Sequence, residues 1–386
     1  MSSAARAAGR LHLREGACTL GLAAAALAWV CVPPRVMIEG PAFGGPRIVT
    51  PGESIEITAR VAIPWVMAVD GATLVRGEGR LPLPLSESPG AGPRQTARVH
   101  VPPDCAPGLY DLEVRAGAAS ARVRRAVAVL ASMPERFTIA QISDLHIGFT
   151  AASERSVAAI IDEINSLHPA LVVVSGDIAH QGRWEEYARA EKLLERLEAP
   201  IVSVPGNHDR RGWAGYLSTF GFPYHAVTFG SWTILGLDAA HGRDQFTLSQ
   251  TTFLAGALAA VDGRRVVAVS HIPLAGRRSV QARASLVADL LEAHGVPLVV
   301  SGHWHYPTAY DGTARGGTGS GAATRYVVTT TAGGNLRRGI DGRLSVHGYQ
   351  VISVEDGRVT ATTAQRLADH GTSPGNDAAV GRGGSP

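Results

Sequence analysis

Between residues 137 and 305, short apolar runs recur, and each stops at a cluster of Gly, Asp, Asn or His. The run 137–143 ends in Asp144-Leu145-His146, 171–175 in Gly176-Asp177, and 201–204 in Gly206-Asn207-His208-Asp209. Further on, 265–270 ends in His271 and 296–301 in Gly302-His303-Trp304-His305. Such runs predict buried strands. Between them lie helical periods. Residues 152–167 put Ile160, Ile161 and Ile164 on one side; 184–197 put Trp184, Tyr187, Leu194 and Leu197 on one face, with Glu185, Glu186 and Arg189 away from it. Helices are also predicted over 248–260 and 280–294, and β-rich stretches over 224–229, 232–237, 326–331, 348–353 and 358–364 predict a second sheet packed on the first. An open α/β sheet carries its chemistry beyond the carboxyl ends of its strands, which is where the polar clusters fall.

The texture is different from about 34 to 134. Short alternating runs at 54–61, 73–75, 95–101, 110–114 and 121–129 are separated by Pro51-Gly52, Pro89-Gly90 and Pro107-Gly108. That spacing predicts an all-β sandwich of immunoglobulin-like type. The run Ala106-Pro107-Gly108-Leu109-Tyr110-Asp111-Leu112 is similar to the penultimate hairpin strand of extracellular sandwich modules. No constellation of His, Asp or Glu occurs there, so the segment reads as a spacer or docking module.

Residues 1–16 are polar with Arg6, Arg10 and Arg14, and 17–32 are uncharged, with Ala26-Leu27-Ala28 as a small-x-small triplet. This reads as a secretory signal peptide cleaved after Ala28 or, if retained, as an N-terminal membrane anchor, and in either case as an exported bacterial protein. The expected organisation is a leader over 1–32, an immunoglobulin-like sandwich over 33–135, an α/β unit over 136–366 and a Gly/Ser/Pro-rich disordered tail over 367–386.

A net charge of +3 on 386 residues demands neither nucleic acid nor an anionic surface. Of the basic residues only Lys192 is a lysine, which reads as the coding bias of a GC-rich genome. Three cysteines, Cys18, Cys31 and Cys105, are too few for a disulfide framework and none lies in the polar clusters.

In an extended segment residues i and i+2 share a face, so Asp144 with His146, and His303 with His305, are expected to reach one ion. Carboxylates, imidazoles and an amide without thiolate suit Mn, Fe or Zn. Seven candidates, Asp144, His146, Asp177, Asn207, His271, His303 and His305, are too many for one tetrahedral ion and fit two sharing a bridging carboxylate.

Asp144-x-His146, Gly176-Asp177, Gly206-Asn207-His208-Asp209, His271 and Gly302-His303-x-His305, in that order, resemble the signature of the calcineurin-like metallophosphoesterase superfamily over about 137–365. The stretch from Gly176-Asp177-Ile178-Ala179-His180-Gln181-Gly182 through Glu186-Tyr187 to Pro205-Gly206-Asn207-His208-Asp209 is most similar to its bacterial cyclic nucleotide and glycerophosphodiester phosphodiesterase branch.

The resemblance implies a two-sheet αββα fold. It implies one ion on Asp144, His146, Asp177 and His305 and a second on Asp177, Asn207, His271 and His303. His208 would act on the phosphate as hydrogen-bond donor or general acid, oriented by Asp209. His180 stands where many relatives carry an acidic residue. The implied reaction is hydrolysis of a small-molecule phosphate ester, foremost a phosphodiester, by a metal-bridging hydroxide; two divalent ions about 3.5–4 Å apart bring the pKa of bound water towards 7. The alternatives are a phosphomonoesterase acting on nucleotides or proteins, and a non-catalytic binding scaffold.

The other histidines and polar residues read as structural: His168 and His294 at helix ends, His225, His241 and His347 as structural or exposed, Asp238 as a turn residue, Trp304 as packing outward, and Gly333-Gly334-Asn335 as a turn.

Overall fold

The computed structural model describes residues 35–62, 68–87, 92–239, 246–274, 282–312 and 323–366. The expected leader and tail, His241 and the Pro89-Gly90 turn lie outside them.

The N-terminal part is a two-sheet all-β sandwich. Its strands are β1 (Val36–Gly40), β2 (Arg47–Val49), β3 (Ser54–Val61), β4 (Val69–Arg76), β5 (Gly79–Leu83), β6 (Leu85–Glu87), β7 (Arg94–His100), β8 (Gly108–Ala116) and β9 (Ala119–Val129). One sheet has the order β1-β3-β7-β6, the other β2-β9-β8-β4-β5. Alternation in β3 turns Ile55, Ile57, Ala59 and Val61 inward, and alternation in β7 turns Ala97 and Val99 inward. Leu74, Leu112 and Val114 meet them from the facing sheet.

The second part opens with β10 (Phe137–Ile142), α1 (Ala151–Leu167), β11 (Leu171–Val174), α2 (Trp184–Leu194), β12 (Ile201–Ser203), α3 (Trp213–Phe220), β13 (His225–Phe229) and β14 (Trp232–Leu237). It continues with α4 (Leu248–Ala259), β15 (Val266–Ser270), α5 (Ala282–Ala293), β16 (Leu298–Ser301), β17 (Thr308–Asp311), β18 (Arg325–Val328), β19 (Gly348–Glu355) and β20 (Arg358–Arg366). The sheets are β12-β11-β10-β19-β20 and β13-β14-β15-β16-β18-β17.

Period-two alternation divides each strand between two cores. Ile139, Leu171 and Val173 face Val267, Val269 and Val300 across the inter-sheet layer. Ala140, Val172 and Val174 face Ile160, Ile164, Tyr187 and Phe220 of the helices. Leu254, Leu258, Val287 and Leu291 cover the outer face of the second sheet. The order of layers is therefore helix, sheet, sheet, helix. Because β10, β11 and β12 run parallel, and so do β14, β15 and β16, the carboxyl ends within each set share one edge.

Three expectations are corrected. The stretches 348–353 and 358–364 do not join the second sheet: β19 pairs antiparallel with β10, and β20 with β19, so both extend the first. The helix expected over 184–197 ends at Leu194, and Trp184 is 58% exposed, because a first-turn residue covers the turn preceding the helix and not the core. Glu186, expected outward, is buried; its Oε2 accepts the N–H groups of Gln181 (2.8 Å) and Arg183 (3.1 Å) at the otherwise uncapped helix start.

The two parts are tied at defined points. Phe43 stacks on Phe220 with ring centroids 5.7 Å apart, Gly44 N–H donates to Phe220 O (3.0 Å), and Ser203 N–H donates to Gly44 O (2.8 Å). A Cβ on Gly44 would lie 2.1 Å from Ser203 Oγ, so the approach requires glycine. From β9, Arg125 donates to the carbonyl oxygens of Glu195 (2.5 Å), Leu197 and Ala199 (3.2 Å), serving carbonyls left free where α2 ends. Among the described residues no helix is long and apolar enough to cross a membrane.

Candidate metal centre

At the carboxyl edge of the strands the backbone turns sharply. Asp144 (φ 53°), His146 (φ 46°), Asp177 (φ 50°), His303 (φ 69°) and His305 (φ 63°) all adopt the left-handed conformation. The extended geometry expected for Asp144-x-His146 and His303-x-His305 is thus corrected. Two left-handed residues flank one intervening residue in each pair, at a cost of about 1–3 kcal/mol per residue. Asp144 and His146 reach one group of donors as expected, whereas His303 and His305, expected to reach one ion, part to two different groups. The surroundings impose this shape. Asp144 N–H donates to Gly176 O (2.9 Å), His146 N–H to Asp177 O (3.0 Å), and the N–H groups of Gly333 and Gly334 to Asp144 O (3.1 and 3.0 Å). Gly334 presses on the cage: a Cβ there would lie 2.5 Å from the His146 ring and 2.6 Å from that of His305.

These turns gather two groups of donors, Asp144, His146 and His305, and Asp177, His271 and His303, within each of which the ligand atoms lie within 4.8 Å of one another. Asp177 Oδ2 stands between the groups, 3.3 Å from His271 Nε2 and 3.7 Å from His146 Nε2. His146 Nε2 and His305 Nε2 face each other at 3.3 Å, and His305 Nε2 is 3.1 Å from Asp144 Oδ1. The far sides of the rings are tethered. His271 Nδ1 is 2.8 Å from Ser175 O and His305 Nδ1 is 2.6 Å from Asn335 O, so each Nδ1–H donates outward and aims Nε2 into the cage.

A pair of divalent ions fits these residues. Asn207 Oδ1 is buried, lacks a hydrogen-bond partner among the described residues, and belongs to an amide that lines the same cleft. Asp144 Oδ1 and His271 Nε2 are likewise buried without a bond of acceptable geometry. Electrostatics agree. Burial alone would raise the Asp144 and Asp177 carboxyls, but the His305, His271 and His146 imidazoles hold Asp144 down, and His271 and His146 hold Asp177 at about 2 against the neighbouring Asp144 charge. Burial would lower His271, yet Asp177 and Asp144 push it up to about 9. The two buried carboxylates thus draw positive charge to His271, while burial lowers His146 and His303 to about 4.

His208 stands beside this cage with Nε2 4.0 Å from Asp177 Oδ2. Asp209 does not orient it. His208 Nδ1 donates to the backbone oxygen of His180 at 2.6 Å, while the fully buried Asp209 carboxylate accepts the N–H groups of Gly206 (2.8 Å), Ala179 (3.0 Å) and Ile178 (3.1 Å). Tyr187 Oη lies 3.3 Å from Asp209 Oδ1. Burial and the Asp177 charge push the Asp209 carboxyl up to about 7, against those donors. Asp209 therefore positions two loops and does not touch the cleft.

The cleft over the cage, of about 550 Å³, is lined also by Phe149, His180, Ile272, Pro273, Trp304, Asn335 and Arg337. Trp304, expected outward, forms part of this wall and stacks on Tyr306 with centroids 5.9 Å apart. His180 Nδ1 lies 3.3 Å from His146 Nδ1. Asn335 and Arg337 carried no sequence signal beyond the glycine pair before them. Among the residues read as structural, His168 is the left-handed C-cap of α1, and His294 Nδ1 bonds Leu290 O (2.8 Å). Asp238 is buried and ion-paired with Arg210.

Residues 137–307 match the family model for calcineurin-like phosphoesterase. The chain is 40% identical over 81 residues to the glycerophosphodiester phosphodiesterase GpdQ of Enterobacter lignolyticus, covering 18% of this chain and 29% of that protein. It is 33% identical over 131 residues to a probable cyclic nucleotide phosphodiesterase of Rhodopseudomonas palustris, covering 30% and 48%. The chain thus spans less than half the length of each of these relatives. A purple acid phosphatase from yellow lupin seeds superposes with a TM-score of 0.52 at 14% identity over 86% of this chain and 73% of that one, a likeness of fold.

Proposed function

We propose that this chain, whose residues 137–307 match the family model for calcineurin-like phosphoesterase, hydrolyses small-molecule phosphate esters, foremost a phosphodiester, at a centre of two divalent ions. The observation that carries this reading is Asp177 Oδ2 standing between two groups of nitrogen and oxygen donors. Asp144, His146, Asp177 and His305 would hold one ion and Asp177, Asn207, His271 and His303 the other; the nitrogen and oxygen donor set suits Mn, Fe or Zn. Such ions supply Lewis acidity to the phosphoryl oxygens and a nucleophile from water near neutral pH.

The chain's own residues do the rest. His208, fixed through Nδ1 on His180 O, turns Nε2 towards the cleft, where it donates to a phosphoryl oxygen or protonates the leaving alkoxide. Phe149 and Trp304 form apolar parts of the wall against which a substrate would be held. The test is turnover of bis(p-nitrophenyl) phosphate with added Mn. Wild type should hydrolyse it and Asp177→Ala and Asn207→Ala should not; equal rates in all three would refute the site.

The all-β part we read as an immunoglobulin-like domain over 33–135, preceding a catalytic domain over 136–366. Support comes from its two antiparallel-rich sheets and from Tyr110 Oη donating to Ala106 O at 2.6 Å, the corner tie of such sandwiches. The arginine-bearing, then apolar, leader supports export, with the protein either released or held by a retained anchor.

A further inference from the structure

Immediately after Asn335 the chain forms a tight antiparallel hairpin. Ser345 N–H donates to Arg337 O (2.8 Å), Gly339 N–H to Arg343 O (2.8 Å), and Gly342 N–H to Gly339 O (3.0 Å). The last bond closes a four-residue turn with Ile340 at its second position and Gly342 at φ 77°. Turn tips ordinarily carry Gly, Pro, Asn, Asp or Ser. Here Ile340 is 83% exposed, and around it Leu336, Leu344 and Val346 are exposed by 39, 54 and 40%. The same hairpin carries Arg337, Arg338 and Arg343, opposed on the hairpin by Asp341 alone, which lies 3.8 Å from Arg343. A chain of mild net charge thus concentrates apolar side chains and guanidinium groups on one projection, beside the mouth of its cleft.

We propose that the hairpin from Leu336 to Val346 docks the mouth of the cleft onto an anionic phospholipid surface. Ile340 and Leu344 enter the boundary between headgroups and acyl chains, as the apolar face of an interfacial element does. The arginines lie at the depth of the lipid phosphates, where long cationic side chains bury their stems and keep their charge among the headgroups. Within residues 336–346 three arginines stand against one carboxylate beside four exposed apolar side chains, a balance of charge and apolar surface that an anionic lipid surface complements. Arg337 joins the two regions, since it belongs to the hairpin and lines the cleft.

The test uses the full chain and vesicles of phosphatidylcholine with or without phosphatidylglycerol. Wild type should sediment with the anionic vesicles, weakly with the neutral ones, and less at about 0.5 M salt, where screening shortens the range of charge attraction. Ile340→Ser combined with Leu344→Ser should lower partitioning by about tenfold or more while leaving the thermal unfolding midpoint in place. Because the leader can also bind lipid, a local readout is included: the indole introduced by Ile340→Trp should be quenched by brominated acyl chains beyond the wild-type signal. Unchanged partitioning of the double variant together with absent added quenching overturns the proposal. So does a concentration-dependent dimer that the double variant abolishes while vesicle binding stays as in wild type, which would make the patch an interface between copies of this chain.

Discussion

His208 Nδ1 lies 2.6 Å from the backbone oxygen of His180, so the imidazole beside the cage is aimed by main chain and not by a side-chain carboxylate. Substitution at position 180 keeps that acceptor. His180→Ala should therefore lower kcat for bis(p-nitrophenyl) phosphate by less than about tenfold, while His208→Ala should lower it about 10²–10⁴-fold, the range of a lost general acid or charge stabiliser. Comparable losses in both would mean that the His180 ring itself does the chemistry.

Asp209 accepts three backbone N–H groups from two loops, and asparagine offers only one acceptor oxygen and turns an NH₂ group towards donors. Asp209→Asn should lower stability by about 2–4 kcal/mol in urea unfolding, and Tyr187→Phe by about 1 kcal/mol. Activity of Asp209→Asn should fall together with its metal content. Full stability with activity alone lost would assign Asp209 a direct chemical role.

Because Asp177 Oδ2 faces donors of both groups, removing it should affect both ions. Dialysed Asp177→Ala should retain neither ion by elemental analysis, whereas Asn207→Ala should keep about one per chain. Two ions per chain in Asp177→Ala would show that the groups are independent.

His225 supplies a pH dependence remote from the cage. Its Nδ1 bonds Phe222 O at 3.1 Å and its Nε2 is sealed without a partner among the described residues; burial lowers its pKa to about 4. The unfolded chain takes up a proton near pH 6.5 and the folded chain only near 4, so the associated stability is full above about 6.5 and is lost as pH falls towards 4. Wild type should lose on the order of 1–2 kcal/mol more than His225→Gln between about pH 7 and pH 5 in urea unfolding. Parallel curves would remove His225 from the account.

Gly44 tests the union of the two parts. An added methyl 2.1 Å from Ser203 Oγ and 2.8 Å from Phe220 O forces the contact apart, so Gly44→Ala should cost about 1–3 kcal/mol. If calorimetry finds wild-type stability, the contact yields without cost.

Much of this architecture was legible because five apolar runs stop at metal-binding residue types, and parallel strands align such stops along one edge. The αββα layering is implied by the family resemblance, and two-faced burial of strands such as Leu171–Val174 is its physical basis. What could not be read lies in backbone detail. Nothing at position 209 tells that its partners are the N–H groups of Ile178, Ala179 and Gly206. Asp144-Leu145-His146 reads as extended, and the bonds to Gly176 and Asp177 that turn it left-handed leave no trace in the local sequence. Asn335 and Arg337 reach the cleft because β19 returns beside β10, a pairing across more than 200 residues of sequence that no local pattern announces.

The left-handed turns at Asp144, His146, Asp177, His303 and His305 have a practical bearing on anyone wishing to transplant this centre. Grafting the seven side chains onto another sheet would carry over the chemistry of the donors but not the main-chain lattice that aims them. A recipient scaffold would need the neighbouring glycines and the loop-to-loop bonds as well, so the smallest portable unit is the whole strand edge.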